Sequence, residues 1–488
     1  MAGGAESSRY RVCFWKNTKV SSSGMLSRPV IIRVDKSIQK LTRTIIRVFD
    51  RYMPEPFAFG IVMTLAALVL TWWLTPANAE KVVMSWGNGL ASLLPFITQV
   101  CLTILFAYAL AHLGPVPAFL ERLAGVPRTA RGAYAFVAVF AGCVSLVAWP
   151  LGTILGGLMA RQVALSFRNR GQKVHYPLLG GAAFSGFVVW HMGYSGSAPL
   201  LVATQGNPMQ EQLGGLLPVT QTILASFNLV TIVVTLATVA LVASMLAPAD
   251  AELEEIDDAN EVQDAEQSDQ ALPLDEGRSG PAYRLENSRW LTSSMGVLLI
   301  IYVGNWFYSK GIQLDLNIVN WTFLAACLLL TRSASEFSQV LMQAGRAVVP
   351  TLLQYPLYAG IMGVMLNTGL VAQMADYFAR TGTAETLPLI AFFSGGVINM
   401  FIPSGGAQWA VQGPAFLAAA ETLGTAPELI VMGIAYGDQW TNIIHPFVVI
   451  PLLIMTGLPA NKVLSYSFIL FLVATVPLAG GLIVAGFW

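Results

Sequence analysis

The residues of this 488-residue chain best suited to chemistry lie where long apolar runs are interrupted. Ser404, Gly405 and Gly406 follow Pro403 at the start of a returning half-helix. Free N–H groups, a hydroxyl and the positive end of a helix dipole all favour a carboxylate there, the dipole by about 0.3–2 kcal/mol. The matching turn at Trp149–Thr153 carries Gly152 and Thr153 but has Leu151 in place of the serine, so the second turn is the better anion site. Ser195, Gly196 and Ser197, followed by Pro199, suit an unwound stretch that bonds a solute. Asp438 is the acid placed well inside an apolar span, where a charge costs about 2.5–3.5 kcal/mol on insertion scales. It must be paired, hydrated, ion-bound or protonated, which admits coupling to H+ or Na+ or a structural hydrogen bond to Gln439, Trp440 or backbone. Asn399, Thr441 and Asn442 supply neutral oxygens that complete a Na+ shell or bridge helices. His191 and His445 fall in interrupted spans, as proton relays or as packing residues, whereas His112 and His175 read as surface residues. Trp409 and Trp440 are the apolar neighbours expected to cover a short alkyl tail.

These residues belong to a duplication. Phe140, Gly142, Val144, Pro150 and Gly152 recur 253 positions later as Phe393, Gly395, Val397, Pro403 and Gly405. Ala183, Phe184, Pro199, Leu200, Leu201 and Thr204 recur at an offset of 252 as Ala435, Tyr436, Pro451, Leu452, Leu453 and Thr456. Interrupted apolar segments at corresponding positions of two halves point to the substrate site of a secondary transporter.

With 55% hydrophobic and 11% charged residues, and a mean hydropathy of +0.62, the chain cannot cover a soluble surface and reads as an all-α polytopic membrane protein. Spans are expected near 57–75, 93–113, 177–203, 218–246, 290–308, 317–331, 347–371, 428–456 and 464–486. The stretch 134–164 has arginines at both ends, Arg122, Arg128 and Arg131 before it and Arg161, Arg168 and Arg170 after it. Both ends are therefore on the cytoplasmic side, and the segment must enter and return. The stretch 387–421, broken at Pro403-Ser404-Gly405-Gly406, lacks such flanks and should enter from the opposite side. The expected architecture is about nine crossings plus two opposed re-entrant hairpins in inverted repeats, with a cytoplasmic N-terminus. Counting the hairpins as full spans is the alternative topology.

Residues 1–52 form an N-terminal segment without a visible signal peptide, within which Met25 is a candidate start. Lys36–Arg51 has the spacing of an amphipathic helix on a membrane face or of a short solvated helix. Residues 53–248 and 290–488 are the two repeats. Residues 249–289 are an acidic linker expected to be flexible and cytoplasmic. The four cysteines show neither disulfide nor zinc spacing, and no cofactor, metal beyond a possible Na+, or nucleic acid partner is expected.

Several motifs together resemble the bacterial short-chain fatty acid transporter family: Met53-Pro54-Glu55-Pro56-Phe57, the run Gly193–Leu201, Pro403-Ser404-Gly405-Gly406, and Ala435-Tyr436-Gly437-Asp438-Gln439-Trp440. The resemblance extends in order over roughly residues 40–488. It implies a carrier of acetoacetate, butyrate and similar acids within the ion transporter superfamily, with inverted repeats, opposed hairpins, an elevator-like motion and a homodimer. The family pattern carries an acid at the position of Asp438, often the longer Glu. The expectation is thus H+ or Na+ symport of small monocarboxylates. Carriage of dicarboxylates or other organic anions is the alternative, although no Lys or Arg falls mid-span to fix a second carboxylate. An intramembrane enzyme using His191 and Asp438 is more distant, because no HExxH or GxSxG motif occurs in the spans.

Overall fold

Glycine and proline positions divide the apolar sequence into helices of unequal length, and the computed structural model describes residues 36–205, 207, 209–248, 253–256, 280–311 and 316–486. The leader around Met25 and most acidic residues of the linker lie outside the described residues. All regular structure among the described residues is helical. The first half runs α1 (Lys36–Tyr52), α2 (Pro56–Leu74), α3 (Ala79–Gly89), α4 (Leu94–His112), α5 (Val116–Ala124), α6 (Ala130–Val147), α7 (Trp149–Asn169), α8 (Tyr176–Gly186), a tight 3-10 stretch (Phe187–Met192), α9 (Ser197–Val202) and α10 (Ser226–Met245). The second runs α11 (Pro281–Glu286), α12 (Arg289–Lys310), α13 (Leu316–Leu330), α14 (Ala334–Asn367), α15 (Leu370–Arg380), α16 (Leu387–Asn399), α17 (Gly405–Leu423), α18 (Pro427–Asn442), α19 (Ile450–Thr456) and α20 (Ala460–Gly486).

Local chemistry sets the ends. Asn78, Thr129 and Ser333 cap α3, α6 and α14 by accepting from Lys81 N at 2.8 Å, Gly132 N at 3.2 Å and Glu336 N at 3.1 Å. Proline occupies the first turn of α2, α4, α7, α8, α16, α18 and α19, where its missing N–H leaves no bond unmade. Seven helical segments among the described residues are long and apolar enough to cross a membrane: α2, α3 with α4, α6, α10, α12, residues 348–367 of α14, and α20. Four short helices fall between the expected spans, α3, α5 and α15 within the repeats and α11 at the end of the linker. The expected span 218–246 is helical only from Ser226, because residues 218–225 turn.

The repeats match element by element: α2 with α12, α3 with α13, and so on to α10 with α20. Their contacts exchange as a two-fold relation requires. Helix α4 packs on α13 while α14 packs on α3, and α7 packs on α19 while α17 packs on α9. Each broken stretch is an antiparallel helical hairpin. In the first, the site of a Cβ on Gly152 meets Ser145 and that on Gly156 meets Ala141, either side of the extended Ala148. In the second, Gln408 Nε2 donates to Gly395 O at 2.9 Å and Gln412 Nε2 to Ser394 Oγ at 2.8 Å.

The first arm of each hairpin packs on the broken helix of its own repeat, α6 on α8 and α16 on α18. Glycine permits the approach. A Cβ on Gly186 would lie 2.2 Å from Ala138 O, and one on Gly437 would lie 2.1 Å from Phe392 O. Helices α2, α3, α4, α12, α13 and α14 form one group and α6–α10 with α16–α20 another, joined through α4 with α7 and α14 with α19, and flanked by α5 and α15. Helix α1 lies on α20, with Phe49 and Phe468 ring centroids 5.4 Å apart.

Gly437→Ala is therefore expected to destabilise the protein by about 1–3 kcal/mol through overpacking. Gly480→Ala, where nothing lies within 4 Å of the added carbon, should be neutral or slightly stabilising. Thermal unfolding in detergent, with both variants side by side, measures the difference.

Candidate functional site

The two hairpin tips and the two helix breaks converge on one partly open cavity of about 70 Å³. Trp149 of the first tip and Pro403, Ser404 and Gly405 of the second line it. The first break contributes Trp190 and Ser197, and the second contributes Asn442, Phe447 and Val448. At about 10–15 Å³ for each water-sized occupant, the space suits a molecule of a few heavy atoms.

One side of the cavity is polar. Ser404 precedes α17 and makes no side-chain capping bond, so its hydroxyl is available, and the first N–H groups of α17 have no acceptor one turn earlier. Gly405 lies against the opposite repeat: a Cβ there would sit 2.4 Å from His191 Nε2 and 3.3 Å from Ser197 Cβ. Any larger residue would separate tip from break. The other side is aromatic, built of Phe96, Trp149, Phe187, Trp190, Tyr355 and Phe447. Trp190 lies 5.7 Å from Phe187 and 6.1 Å from Trp149, centroid to centroid. No Lys or Arg is among the lining residues.

Behind the polar wall lies Asp438, buried with His191. His191 Nε2 is 3.4 Å from Asp438 Oδ1, and Asn442 Nδ2 donates to the same oxygen at 2.8 Å. Asn399 Nδ2 shares its two hydrogens among Asn442 Oδ1 at 2.7 Å, Thr441 Oγ1 at 2.9 Å and Asp438 O at 3.0 Å. Thr441 Oγ1 in turn donates to Gly396 O at 3.1 Å. The repeats are tied here by His191 N, which donates to Gln439 Oε1 at 2.9 Å. Asp438 Oδ2, Asn399 Oδ1 and both His191 ring nitrogens are buried without a hydrogen-bond partner. Two routes connect cavity and carboxylate: Gly405 through His191, and Asn442 directly.

The structure thus brings Ser197, Ser404, Gly405 and Asn442 to the cavity and Asp438, His191, Asn399 and Thr441 behind it. Other expected residues lie elsewhere. Gly152 is closed against Ser145, and Thr153 Oγ1 donates to Pro150 O at 3.0 Å, so the first tip presents Trp149 instead. Gly196 abuts His191 O, and Gly406 opens toward Leu201. Ser195 Oγ is buried and unpartnered but does not line the cavity. Trp409 is buried against Gly413 of its own helix. Trp440 turns away, its Nε1 donating to Thr475 Oγ1 at 3.0 Å and Phe471 O at 3.2 Å on α20. His445 is fully engaged, with Nδ1 accepting from Phe447 N at 3.2 Å and Nε2 donating to Met400 O at 3.3 Å. Neither Trp409 nor Trp440 lines the cavity, whose aromatic wall is built of six other residues. Trp149 and Trp190 carried a signal, because each stands at a break; Phe96 and Tyr355, on unbroken α4 and α14, carried none.

An all-helical membrane chain whose paired hairpins and broken helices enclose a small polar and aromatic cavity has the construction of a transporter. Residues 37–485 match the family profile described as short chain fatty acid transporter, and the chain belongs to that family. A protein of Escherichia coli (strain K12) bearing the provisional name short-chain fatty acid transporter is 35% identical over 429 residues, covering 88% of this chain and 96% of its own. A protein of the same provisional name from Haemophilus influenzae is 30% identical over 435 residues, with the same coverages. Among solved structures, the YdaH transporter of Alcanivorax borkumensis is similar at a TM-score of 0.44 and 16% identity, over 89% of this chain and 99% of that one. MtrF of Neisseria gonorrhoeae, titled as one of a class of antimetabolite efflux pumps, gives 0.39 and 16%, over 91% and 97%.

Asn399→Ala strips the two amide hydrogens that three buried acceptors share and should cost about 1–3 kcal/mol of stability. Ser195→Ala removes a hydroxyl that bonds nothing and should leave stability unchanged. Thermal unfolding of the two variants measures this contrast.

Proposed function

We propose that the protein is a secondary carrier of small monocarboxylates of the acetoacetate or butyrate type, driven by symport of H+ or Na+. The observation that carries this reading is the cavity itself, where the N-terminus of α17 and the hydroxyls of Ser404 and Ser197 face a box of six aromatic rings. A carboxylate fits the first, because backbone N–H groups and a helix dipole stabilise one negative charge without a fixed cation. A short alkyl chain fits the second. Absence of Lys or Arg from the lining, together with the volume, favours a monocarboxylate over a dicarboxylate, whose second charge would stay unpaired. The names borne by the Escherichia coli and Haemophilus influenzae relatives agree with this class of substrate.

Asp438 takes the coupling cation in this reading. It is a buried acid whose second oxygen lacks a partner, beside the unpartnered Asn399 Oδ1. A carboxylate so placed requires neutralisation, and a symported cation provides it at the moment when Asn442 and His191 register the substrate. The hairpins enter the membrane from opposite faces and return, with the N-terminus cytoplasmic and the chain in a bacterial inner membrane. Motion is elevator-like: the group holding hairpins and broken helices slides against the group of α4 and α14, which supply Phe96 and Tyr355 as the fixed wall.

Uptake of labelled butyrate into proteoliposomes, with H+ and Na+ gradients varied independently, tests the reading. Asp438→Asn should abolish accumulation against a concentration gradient, and an unaltered driven rate would remove Asp438 from coupling. Gly405→Ala, which drives a carbon into His191, should lower uptake by about tenfold or more, an effect worth at least about 1.4 kcal/mol. Gly406→Ala should remain within about twofold of the unmodified protein. Equal uptake by the two glycine variants would place the anion elsewhere.

A further inference from the structure

His175 reads from sequence as a surface residue of a basic loop, yet it is 4% exposed in the structure. What buries it includes a piece of the acidic linker. Glu254 N donates to His175 Nδ1 at 2.9 Å, and Tyr176 N, at the start of α8, donates to Glu254 O at 2.8 Å. His175 N donates to Tyr134 Oη at 2.9 Å. Because Nδ1 accepts, Nε2 carries the proton, and its 2.9 Å contact with Tyr466 Oη on α20 is a donation from the imidazole. Ile256 is buried, 6% exposed. Lys462 of α20 pairs with the Glu254 carboxylate, and Lys173 lies 3.6 Å from Glu255. Four linker residues thus clasp the N-terminal end of the first broken helix to the N-terminal end of α20.

We propose that residues 253–256 form an acid-released clasp, held closed by a neutral His175 and opened when its Nδ1 is protonated on the cytoplasmic side. The geometry is unforgiving, since an imidazolium donates at both nitrogens and cannot accept the Glu254 N–H. The charged and titratable groups facing it are Glu254 and Glu255 in the clasp, Lys173 in the loop, Tyr134 of α6, and Lys462 and Tyr466 of α20. Exposed ion pairs to the two lysines add little and do not decide the outcome. Burial pushes the imidazole down to about 4; Glu254 opposes that shift and Lys462 adds to it. An undocked histidine titrates near about 6.5. Docking is therefore complete above about pH 6.5 and weakens up to about tenfold per pH unit as pH falls toward 4. Opening removes the acceptor of the first α8 amide, at the end of the helix that leads into the break carrying His191 and Ser197. Any consequence for transport rests on the carrier reading; the clasp itself does not.

Hydrogen exchange of the Glu254 and Tyr176 amides, in the full-length protein in nanodiscs and corrected for intrinsic rates, tests the proposal without substrate. Protection should fall about tenfold from pH 7.5 to 5.5. His175→Gln, which can accept the same N–H but does not titrate, should remove that fall. Ile256→Ser should raise exchange already at pH 7.5, a readout that holds should His175→Gln not fold. Equal protection of the unmodified protein at both pH values, or an equal fall in His175→Gln, would overturn the clasp. In proteoliposomes, uptake should drop with the cytoplasmic-side pH at 5.5 in the unmodified protein and not in His175→Gln. Equal drops would refute a role in transport while leaving the exchange result, and the carrier reading, to stand separately.

Discussion

Interrupting a helix inside a membrane leaves backbone N–H and C=O groups that hydrocarbon cannot satisfy, and this constraint organises the molecule. The chain pays that cost at two tips and two breaks and brings all four to one place, where each covers another. Gly405 is seated on His191 and Ser197, Gly193 approaches Leu146 O, and Asn399 gathers the carbonyl and side-chain oxygens left by the end of α18. The first amide groups of α17 have no side-chain cap, and Ser404 and Gly405 at its start line the cavity. On the proposed reading, a solute that accepts hydrogen bonds completes what the protein leaves unfinished.

The same constraint explains why the buried Asp438, the proposed coupling residue, lies close to the cavity. Asp438 is separated from the cavity by single residues, His191 on one side and Asn442 on the other, and both are in contact with cavity wall and carboxylate. In the proposed symport, a cation at Asp438 and a solute at Gly405 would bear on the same histidine, since His191 lies against both. In the proposed carrier, selectivity comes from a different part of the fold. The six aromatic residues are drawn from both helix groups, Phe96 and Tyr355 from one and the other four from the other.

Much of this was legible in the chain. Gly152, Gly405, Pro150 and Pro403 marked the tips because glycine and proline in an apolar run have few other uses, and the 252–253 offset found the repeats. Asp438 stood out by its cost. Side-chain direction was harder to read. Trp440 lies two residues after Asp438, roughly on the opposite side of α18, so proximity in sequence misplaced it. Phe96 and Tyr355 reach the cavity from unbroken helices, and only tertiary packing reveals them. Helices α3, α5 and α15 are 11, 9 and 11 residues long, below the length that hydropathy registers as a span. The docking of Glu254 on His175 joins residues 79 apart through backbone atoms, which no composition or spacing encodes.

The central claim, that opposed hairpin tips build one cavity for a small carboxylate, is tested most directly by locating the ligand. Anomalous diffraction from crystals grown with a bromine-bearing butyrate should place the halogen among Phe96, Trp149 and Tyr355, with the carboxylate density at Ser404 and Gly405. A bromine peak outside the space between the tips, with the cavity containing only solvent, would contradict the account.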